Sequence, residues 1–137
     1  MTDNDWLVLT GQQQAVLRPV VEGGSFLLHH EVLQHWQALV TRAAVAGFRL
    51  AIASAWRSFE RQLLIWNGKA NGQRAVLDAE GKPLDITRLS QDQLLFAILR
   101  WSAIPGCSRH HWGTDLDVFD AAAVPLDYCV QLTADEC

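Results

Sequence analysis

The segment covering residues 108–119 limits what this chain of 137 residues can fold into more than any other stretch. Its second half, residues 114–119, alternates polar and apolar residues as a half-buried strand does. In such a strand Asp117 lies on the polar face, and the apolar residues on either side of it lie on the other face. Gly113 precedes the strand and permits a tight bend, so His110 can fold back toward Asp117. The segment therefore predicts a polar loop that turns directly into a half-buried strand.

The rest of the chain shows both helical and strand periodicity. The predicted helices cover residues 31–46, which Gly47 ends, residues 58–68, which Ser58 caps, and residues 94–101, which follow a Ser90 and Gln93 capping box. The predicted strands cover residues 48–53, 114–119 and 126–132, and residues 67–89 form a long loop with a short hairpin at Glu80-Gly81. Helices come first and short strands that can pair antiparallel are scattered, which predicts an α+β fold.

Composition excludes several classes of protein. Half of the residues are hydrophobic and 19% are charged, which is typical of a globular core, and the length fits one domain over residues 1–137. A net charge of −4 leaves no basic field to attract nucleic acid. No signal peptide is visible, no apolar run could span a bilayer, and three cysteines form no disulfide framework. We therefore expect no nucleic-acid or membrane partner and a cytoplasmic location, with the periplasm less favoured.

The same segment, residues 108–119, carries the residues that could bind a metal. A neutral imidazole and a carboxylate are both good zinc donors, so His110 and Asp117 are candidate ligands. The alternatives are a surface-loop histidine and a strand carboxylate that caps a neighbouring loop. The full pattern, in which Ser108 precedes the histidine and Gly113 separates the two candidate ligands, is much more specific than the pair alone.

At these residues the chain resembles the zinc D-alanyl-D-alanine carboxypeptidases and dipeptidases that trim peptidoglycan stem peptides, including the vancomycin-resistance type. Their first zinc motif, S-x-H-x-x-G-x-A-x-D, matches Ser108, His110, Gly113 and Asp117. Asp115 stands where the family usually has alanine. The resemblance implies zinc as the cofactor and a hedgehog/D,D-peptidase-like fold, with a small antiparallel sheet flanked by helices.

A second match lies upstream, where residues 53–62 resemble the family's S-x-Y-R-S-x-x-x-Q segment with Trp56 in the aromatic slot. Arg57 ends a predicted strand and suits a residue that holds a carboxylate or a developing oxyanion, although it could also be an ordinary salt-bridge partner. Gln62 follows one turn after Ser58 and could be plain helix surface. Two motifs in the family's order, about fifty residues apart, extend the resemblance over roughly residues 27–131.

The resemblance implies a role for each matched residue. In a zinc peptidase of this kind, Arg57 stabilises the tetrahedral oxyanion and therefore matters for chemistry rather than for folding. The implied metal ligands are His110 and Asp117, and the implied substrate-binding residues are Ser108, Gln62 and Trp56. The implied partner is a short peptidoglycan-derived peptide that ends in a D-amino acid.

The chain departs from the family after Asp117. Family members complete the zinc site with a histidine in a downstream Glu-x-x-His-like motif, whose glutamate is the general base. Here the last twenty residues contain no histidine, and Glu136 is their only glutamate. We therefore expect a C-terminally incomplete domain with half a zinc site, and self-association through an exposed C-terminal edge. The predicted function is a carboxypeptidase-type zinc metallopeptidase with an incomplete metal site; the alternative is an inactive relic that still binds peptidoglycan peptides.

Overall fold

The computed structural model describes residues 3–22, 24–125 and 128–130. The chain divides into two compact units, each assembled from two separate stretches. The first unit comprises Met1–Gln13 and Arg57–His111, and the second comprises Gln14–Trp56 and Trp112–Cys137. The single domain over residues 1–137 stays a prediction.

The second unit contains one long helix and two small antiparallel sheets. Strands β1 (Leu17–Pro19) and β2 (Leu27–His29) form a hairpin that leads directly into helix α2 (His30–Val45). Strand β3 (Leu50–Ser54) follows the helix and pairs antiparallel with β4 (Asp117–Asp120) near the end of the chain. The helix contacts β1, β2 and β3, so its apolar face packs against these three strands.

The core of the second unit forms where α2 meets these strands. Its buried members are Leu28, Trp36 and Ala55. The partly buried hydrophobic residues packed against them are Val20, Val32, Leu33, Val40, Leu50, Ile52, Leu116 and Val118. The last two flank Asp117 in the sequence, so the prediction that apolar residues on both sides of that aspartate face the core is confirmed.

Both ends of α2 follow from its local sequence. His29 is the N-terminal capping residue, and its Nδ1 accepts a hydrogen bond of 3.3 Å from the backbone N–H of Glu31. At the other end Gly47 adopts φ +92°, a left-handed conformation that glycine enters without a steric penalty. The predicted helix over residues 31–46, ended by Gly47, is thus confirmed to within one residue at each end.

The predicted starts of the paired strands are wrong by two and three residues, whereas their predicted ends are each within one residue. The strand predicted at residues 48–53 begins at Leu50, because the Phe48 N–H still bonds to the Ala43 carbonyl at the end of α2. The strand predicted at residues 114–119 begins at Asp117, which lies opposite Ser54, the last residue of β3. Residues 114–116 therefore have no partner residues in β3 with which to continue the ladder.

The first unit is helical. Its helices are α1 (Asp3–Leu9), α3 (Phe59–Ala70) and α4 (Gln91–Trp101), with 3₁₀ turns at Ile86–Arg88 and Arg109–Trp112, the second of which ends one residue beyond the unit. The predicted cap of α3 is confirmed, since the Ser58 hydroxyl accepts from the Arg61 N–H. The predicted capping box of α4 is also confirmed, because Ser90 and Gln93 each accept a hydrogen bond from the backbone N–H of the other.

The long predicted loop over residues 67–89 is shorter than expected, because α3 continues to Ala70. Its predicted hairpin is present as an isolated antiparallel bridge between Leu77 and Pro83. The Asp78 carboxylate holds the turn by accepting from the backbone N–H groups of Glu80 and Lys82. This hairpin is therefore fixed by an aspartate side chain rather than by a long strand ladder.

Helix α1 and both strands of the β1–β2 hairpin were not predicted from the sequence. The strand predicted at residues 126–132 falls largely outside the described residues, and residues 128–130 within it have no regular secondary structure. Among the described residues, no helix has both the length and the apolar character needed to cross a membrane. The architecture is α+β as predicted, with two two-stranded antiparallel sheets in place of one small sheet.

Gly113 offers a test of this fold because its backbone is left-handed, with φ +71°, and closely packed. A Cβ atom there would lie 2.5 Å from Leu17 Cδ2 and 2.9 Å from the backbone nitrogen of His29. We expect Gly113→Ala to cost ~1–2 kcal/mol for the left-handed backbone and ~1–3 kcal/mol more for the overlap. Gly81→Ala is the matched control, since Gly81 has φ +78° with nothing within 4 Å. Urea denaturation measures both, and equal losses of stability would contradict the packing described here.

Candidate active site

The six residues predicted to form the site lie in defined places within the two units. The first unit holds Arg57 before α3, Gln62 in its first turns, Ser108 in the loop after α4, and His110 in the following 3₁₀ turn. The second unit holds Trp56, just after β3, and Asp117, the first residue of β4.

Two hydrogen bonds join the two sequence motifs inside the first unit. The Arg57 N–H donates to the His110 carbonyl at 3.1 Å. In return, His111 Nδ1 lies 2.6 Å from the Arg57 carbonyl oxygen. Residues that are about fifty positions apart in the sequence are thereby held side by side. The predicted oxyanion-stabilising residue and the predicted histidine ligand are neighbours in the fold.

His111 is fully enclosed, with 1% of its surface exposed, and its hydrogen bonds fix its protonation state. Its Nε2 accepts from the Gly106 N–H at 3.0 Å, so the ring proton must sit on Nδ1 and donate to the Arg57 carbonyl. Burial lowers the pKa of His111 most strongly, although the bond to the Arg57 carbonyl acts in the opposite direction. Both ring nitrogens are occupied, so His111 is a structural residue and not a ligand.

The N-terminal segment closes over this imidazole at Gly11. The glycine has φ +76°, and its carbonyl accepts from the Phe59 N–H at the start of α3. A Cβ at this position would lie 2.5 Å from His111 Nδ1 and 3.0 Å from the Arg57 oxygen. Only glycine allows the backbone to approach the His111 and Arg57 pair this closely.

Gln62 is fully buried, with 0% exposure, and its amide is bonded at both ends. Its Nε2 donates to the Ala103 carbonyl at 2.6 Å, and its Oε1 accepts from Arg57 Nη1 at 2.9 Å. This burial argues against the predicted direct contact with substrate, since the side chain has no exposed surface to offer. The prediction that Arg57 has no part in folding also needs revision, because its guanidinium satisfies a buried amide oxygen.

Ser108 is also largely enclosed, with 5% exposure, and its carbonyl accepts the His111 N–H at 3.1 Å. His110 is half-buried, as is Trp56, whose N–H donates to the Leu27 carbonyl at 3.2 Å. Asp117 is half-buried as well and lies beside a bulge in the β3–β4 ladder. As substrate or metal residues, these four stay predictions.

Lys69 lies in the last turn of α3 and is not among the residues predicted from the sequence. Its Nζ donates to the Ser102 hydroxyl at 2.7 Å, next to the carbonyl that Gln62 contacts. Burial lowers the pKa of Lys69, and the nearby charges of Arg74 and Arg57 lower it further. The only sequence signal is its spacing, because a residue seven positions after Gln62 lies on the same face of the helix.

The donors for a metal ion can be compared with what zinc requires. His110 and Asp117 are of the right chemical types, but a catalytic zinc ion usually has three protein ligands. No group of three histidine, cysteine, aspartate or glutamate side chains that could hold a metal occurs among the residues that the structure describes. These residues alone therefore do not fit a complete catalytic zinc site.

The buried imidazole makes stability depend on pH. Because the pKa of His111 is lowered in the folded chain, the unfolded chain takes up a proton first as the pH falls through about 6.5. We expect the free energy of unfolding to decrease below that pH, and His111→Asn to show a smaller decrease. His35→Asn is the control, since it removes an exposed imidazole and leaves both His111 hydrogen bonds in place. Urea denaturation from pH 8 to pH 5.5 checks this, and an unchanged pH dependence in His111→Asn would contradict it.

Comparison with known proteins identifies the family. A family model described as VanY, D-alanyl-D-alanine carboxypeptidase, matches residues 25–135. An uncharacterized protein of Haemophilus influenzae is 44% identical over 99 residues, which cover 71% of this chain and 68% of that protein. The family model covers both sequence motifs and most of the second unit.

Solved structures show the same fold. A mutant of the vancomycin-resistance D,D-pentapeptidase VanY, in complex with Zn(II), matches 77% of this chain and 52% of its own, with 22% identity and a TM-score of 0.58. VanYB in complex with D-alanine-D-alanine matches 81% of this chain and 54% of its own, with 21% identity and a TM-score of 0.60. The chain thus spans about half the length of these solved proteins, and the predicted D,D-peptidase-like fold is confirmed. The chain belongs to the VanY D-alanyl-D-alanine carboxypeptidase family.

Proposed function

We propose that this protein is a zinc-dependent metallopeptidase of the carboxypeptidase type that cleaves short peptidoglycan-derived peptides ending in D-alanine. The observation that carries the proposal is the joining of the two motifs, through the bonds between Arg57 and residues 110 and 111. Family membership supports the reaction class. The solved relatives bound to Zn(II) and to D-alanine-D-alanine support the cofactor and the substrate.

We propose His110 and Asp117 as metal ligands on the strength of the sequence motif. A catalytic zinc site needs at least one further protein donor, and no group of three such donors occurs in the described part of the chain. Zinc held by such ligands would supply Lewis-acid chemistry, namely the polarisation of a carbonyl group and a lower pKa for water beside it. The roles of the remaining residues follow from their own contacts.

Arg57 is the group best placed to stabilise negative charge on a peptide carbonyl. Its backbone is fixed on both sides, by His110 and by His111, and its guanidinium is held by Gln62. A guanidinium is always charged and presents several donors in one plane, which suits an oxygen that becomes an oxyanion. Because these contacts exist before substrate arrives, little reorganisation is needed during the reaction.

Gln62 acts as a positioning residue for Arg57. The Ala103 carbonyl can only accept, so it fixes which end of the Gln62 amide donates. The opposite end must then present its oxygen to Arg57 Nη1. The segment after α4 therefore fixes the Gln62 amide, and the amide in turn fixes the Arg57 guanidinium. Gln62 does this without contacting the substrate.

The remaining assignments complete the proposal. Ser108 and Trp56 are proposed to contact the peptide, because one precedes the predicted histidine ligand and the other precedes Arg57. A cytoplasmic location would suit an enzyme that acts on recycled wall peptides rather than on the mature wall. Self-association through the C-terminal edge stays a prediction.

Zinc binding tests the metal assignment. With two motif donors, we expect the 137-residue chain to bind zinc weakly, and His110→Ala and Asp117→Asn each to abolish that binding. His35→Ala is the control, because it removes an exposed histidine from α2. Calorimetric titration gives the affinities. Tight binding that persists in His110→Ala would refute the proposed ligands.

Hydrolysis of D-alanyl-D-alanine by the zinc-loaded chain tests the roles of Arg57 and Gln62. We expect Arg57→Ala to lower kcat about 10²–10³-fold, the usual loss for one oxyanion donor. Gln62→Met should lower kcat and leave KM unchanged, because it acts through Arg57 and not on the substrate. The double variant should be no slower than Arg57→Ala alone.

Arg61→Ala is the control for these variants, since it removes an exposed arginine one turn away. A rise in KM for Gln62→Met with unchanged kcat would instead identify Gln62 as a substrate contact. Binding of the peptide without any hydrolysis, with or without zinc, would favour an inactive peptide-binding relic over the proposed enzyme.

A further inference from the structure

Three cationic side chains of the first unit lie along α3 and the segments at its two ends. Lys69 lies in the last turn of that helix, Arg74 in the segment that follows it, and Arg57 just before it. Lys69 is the central member, because both arginines perturb it electrostatically. No part of the proposed catalytic chemistry uses Lys69 or Arg74.

The Lys69 ammonium is held in one place but is not neutralised. Its Nζ donates to the Ser102 hydroxyl at 2.7 Å, and the side chain is half-buried. Within the described ranges, no aspartate or glutamate oxygen forms an ion pair with this nitrogen. An ammonium group has three donors, so the bond to Ser102 leaves it able to bind an anion.

Arg57 and Lys69 are connected through one short piece of backbone. Gln62 and Lys69 lie two turns apart on α3, and both reach the segment after α4, Gln62 at the Ala103 carbonyl and Lys69 at the Ser102 hydroxyl. Gln62 in turn holds Arg57 Nη1. The two cations are thus placed at opposite ends of a single row of hydrogen-bonded groups.

Arg74 is brought to the same region by Gly68. Its N–H donates to the Gly68 carbonyl at 2.8 Å, and its side chain lies across that buried glycine. A Cβ on Gly68 would stand 3.0 Å from Arg74 Cδ, so the absence of a side chain at Gly68 makes room for Arg74. The arginine is therefore directed over the helix turn that carries Lys69.

Such an arrangement is unfavourable for folding alone. A half-buried ammonium loses hydration, and two like charges nearby raise the cost of keeping it charged. An ordinary solvated lysine would avoid both penalties by extending into water. A bound anion would offset both, because it would supply the missing negative charge and accept the remaining donors.

We propose that Lys69, with Arg74 beside it and Arg57 farther away, just before the start of the same helix, forms a binding site for a carboxylate group of the peptide ligand. Lys69 makes the direct contact, while the arginines provide the surrounding positive potential. The identity of the ligand as a peptide rests on the proposed function; the carboxylate site itself does not. The carboxylate belongs either to the C-terminus of the peptide or to an acidic group farther along it.

Titration with acetate tests the site without reference to catalysis. In the ¹⁵N-labelled chain, we expect acetate to cause saturable shifts of the Ser102 and Ala103 backbone amide signals. These shifts should vanish in Lys69→Met and in Lys69→Gln, where glutamine can still bond to Ser102 without carrying a charge. Lys82→Met, which removes an exposed lysine from the hairpin, should retain them. Absence of saturation in the wild type, or its persistence in both Lys69 variants, would overturn the site.

Calorimetry with three peptides then identifies the carboxylate. The probes are D-alanyl-D-alanine, its C-terminal amide, and the N-succinyl derivative of that amide. We expect Lys69→Gln to weaken binding of at least one carboxylate-bearing probe about tenfold, with the plain amide unaffected. Loss confined to the first probe assigns the C-terminal carboxylate, and loss confined to the third assigns an upstream acid.

The two hypotheses fail separately in this design. If acetate saturates the site but none of the peptides binds, the proposed peptidase function is wrong and the carboxylate site stands. If the peptides bind with equal affinity to wild type and to Lys69→Gln, the site is refuted while the peptidase function is unaffected.

Discussion

A single buried imidazole supports the first unit around its candidate catalytic residue. His111 accepts a hydrogen bond from the Gly106 N–H through one nitrogen and donates to the Arg57 carbonyl through the other. It therefore ties the loop that carries the histidine motif to the start of α3. A neutral histidine is well suited to this position, because it is the one side chain whose ring both donates and accepts at opposite edges.

The requirement for a neutral ring explains the packing around it. Burial disfavours the imidazolium form, and protonation of Nε2 would turn the acceptor for Gly106 into a second donor. The Gly11 backbone packs against the same ring so closely that a Cβ atom there would lie 2.5 Å from His111 Nδ1. The adjacent His110 is only half-buried, whereas both ring nitrogens of His111 are bonded, so His110 is the member of the histidine pair that we propose as the ligand.

Local sequence was sufficient to predict helices α2, α3 and α4, but not α1, and tertiary pairing determined the strand boundaries. The caps at Ser58 and Ser90 and the stop at Gly47 depend on neighbouring residues, so they could be read directly. The start of β4 depends on where its distant partner β3 ends, which no local pattern contains. Likewise, Gln62 has the spacing of a surface residue, and only its distant partners Arg57 and Ala103 reveal that it is a buried link.

The proposed chemistry of the first unit depends on which groups hold its cationic side chains in place. Arg57 Nη1 is bonded to the neutral amide of Gln62, so this contact fixes the guanidinium without cancelling its charge. A carboxylate in place of Gln62 would hold the guanidinium equally well but would cancel that charge. The hydroxyl beside Lys69 has the same consequence, since Ser102 fixes the ammonium without neutralising it. Gln62 and Ser102 thus help to place two cations without cancelling the positive potential that an anionic peptide and its transition state would need.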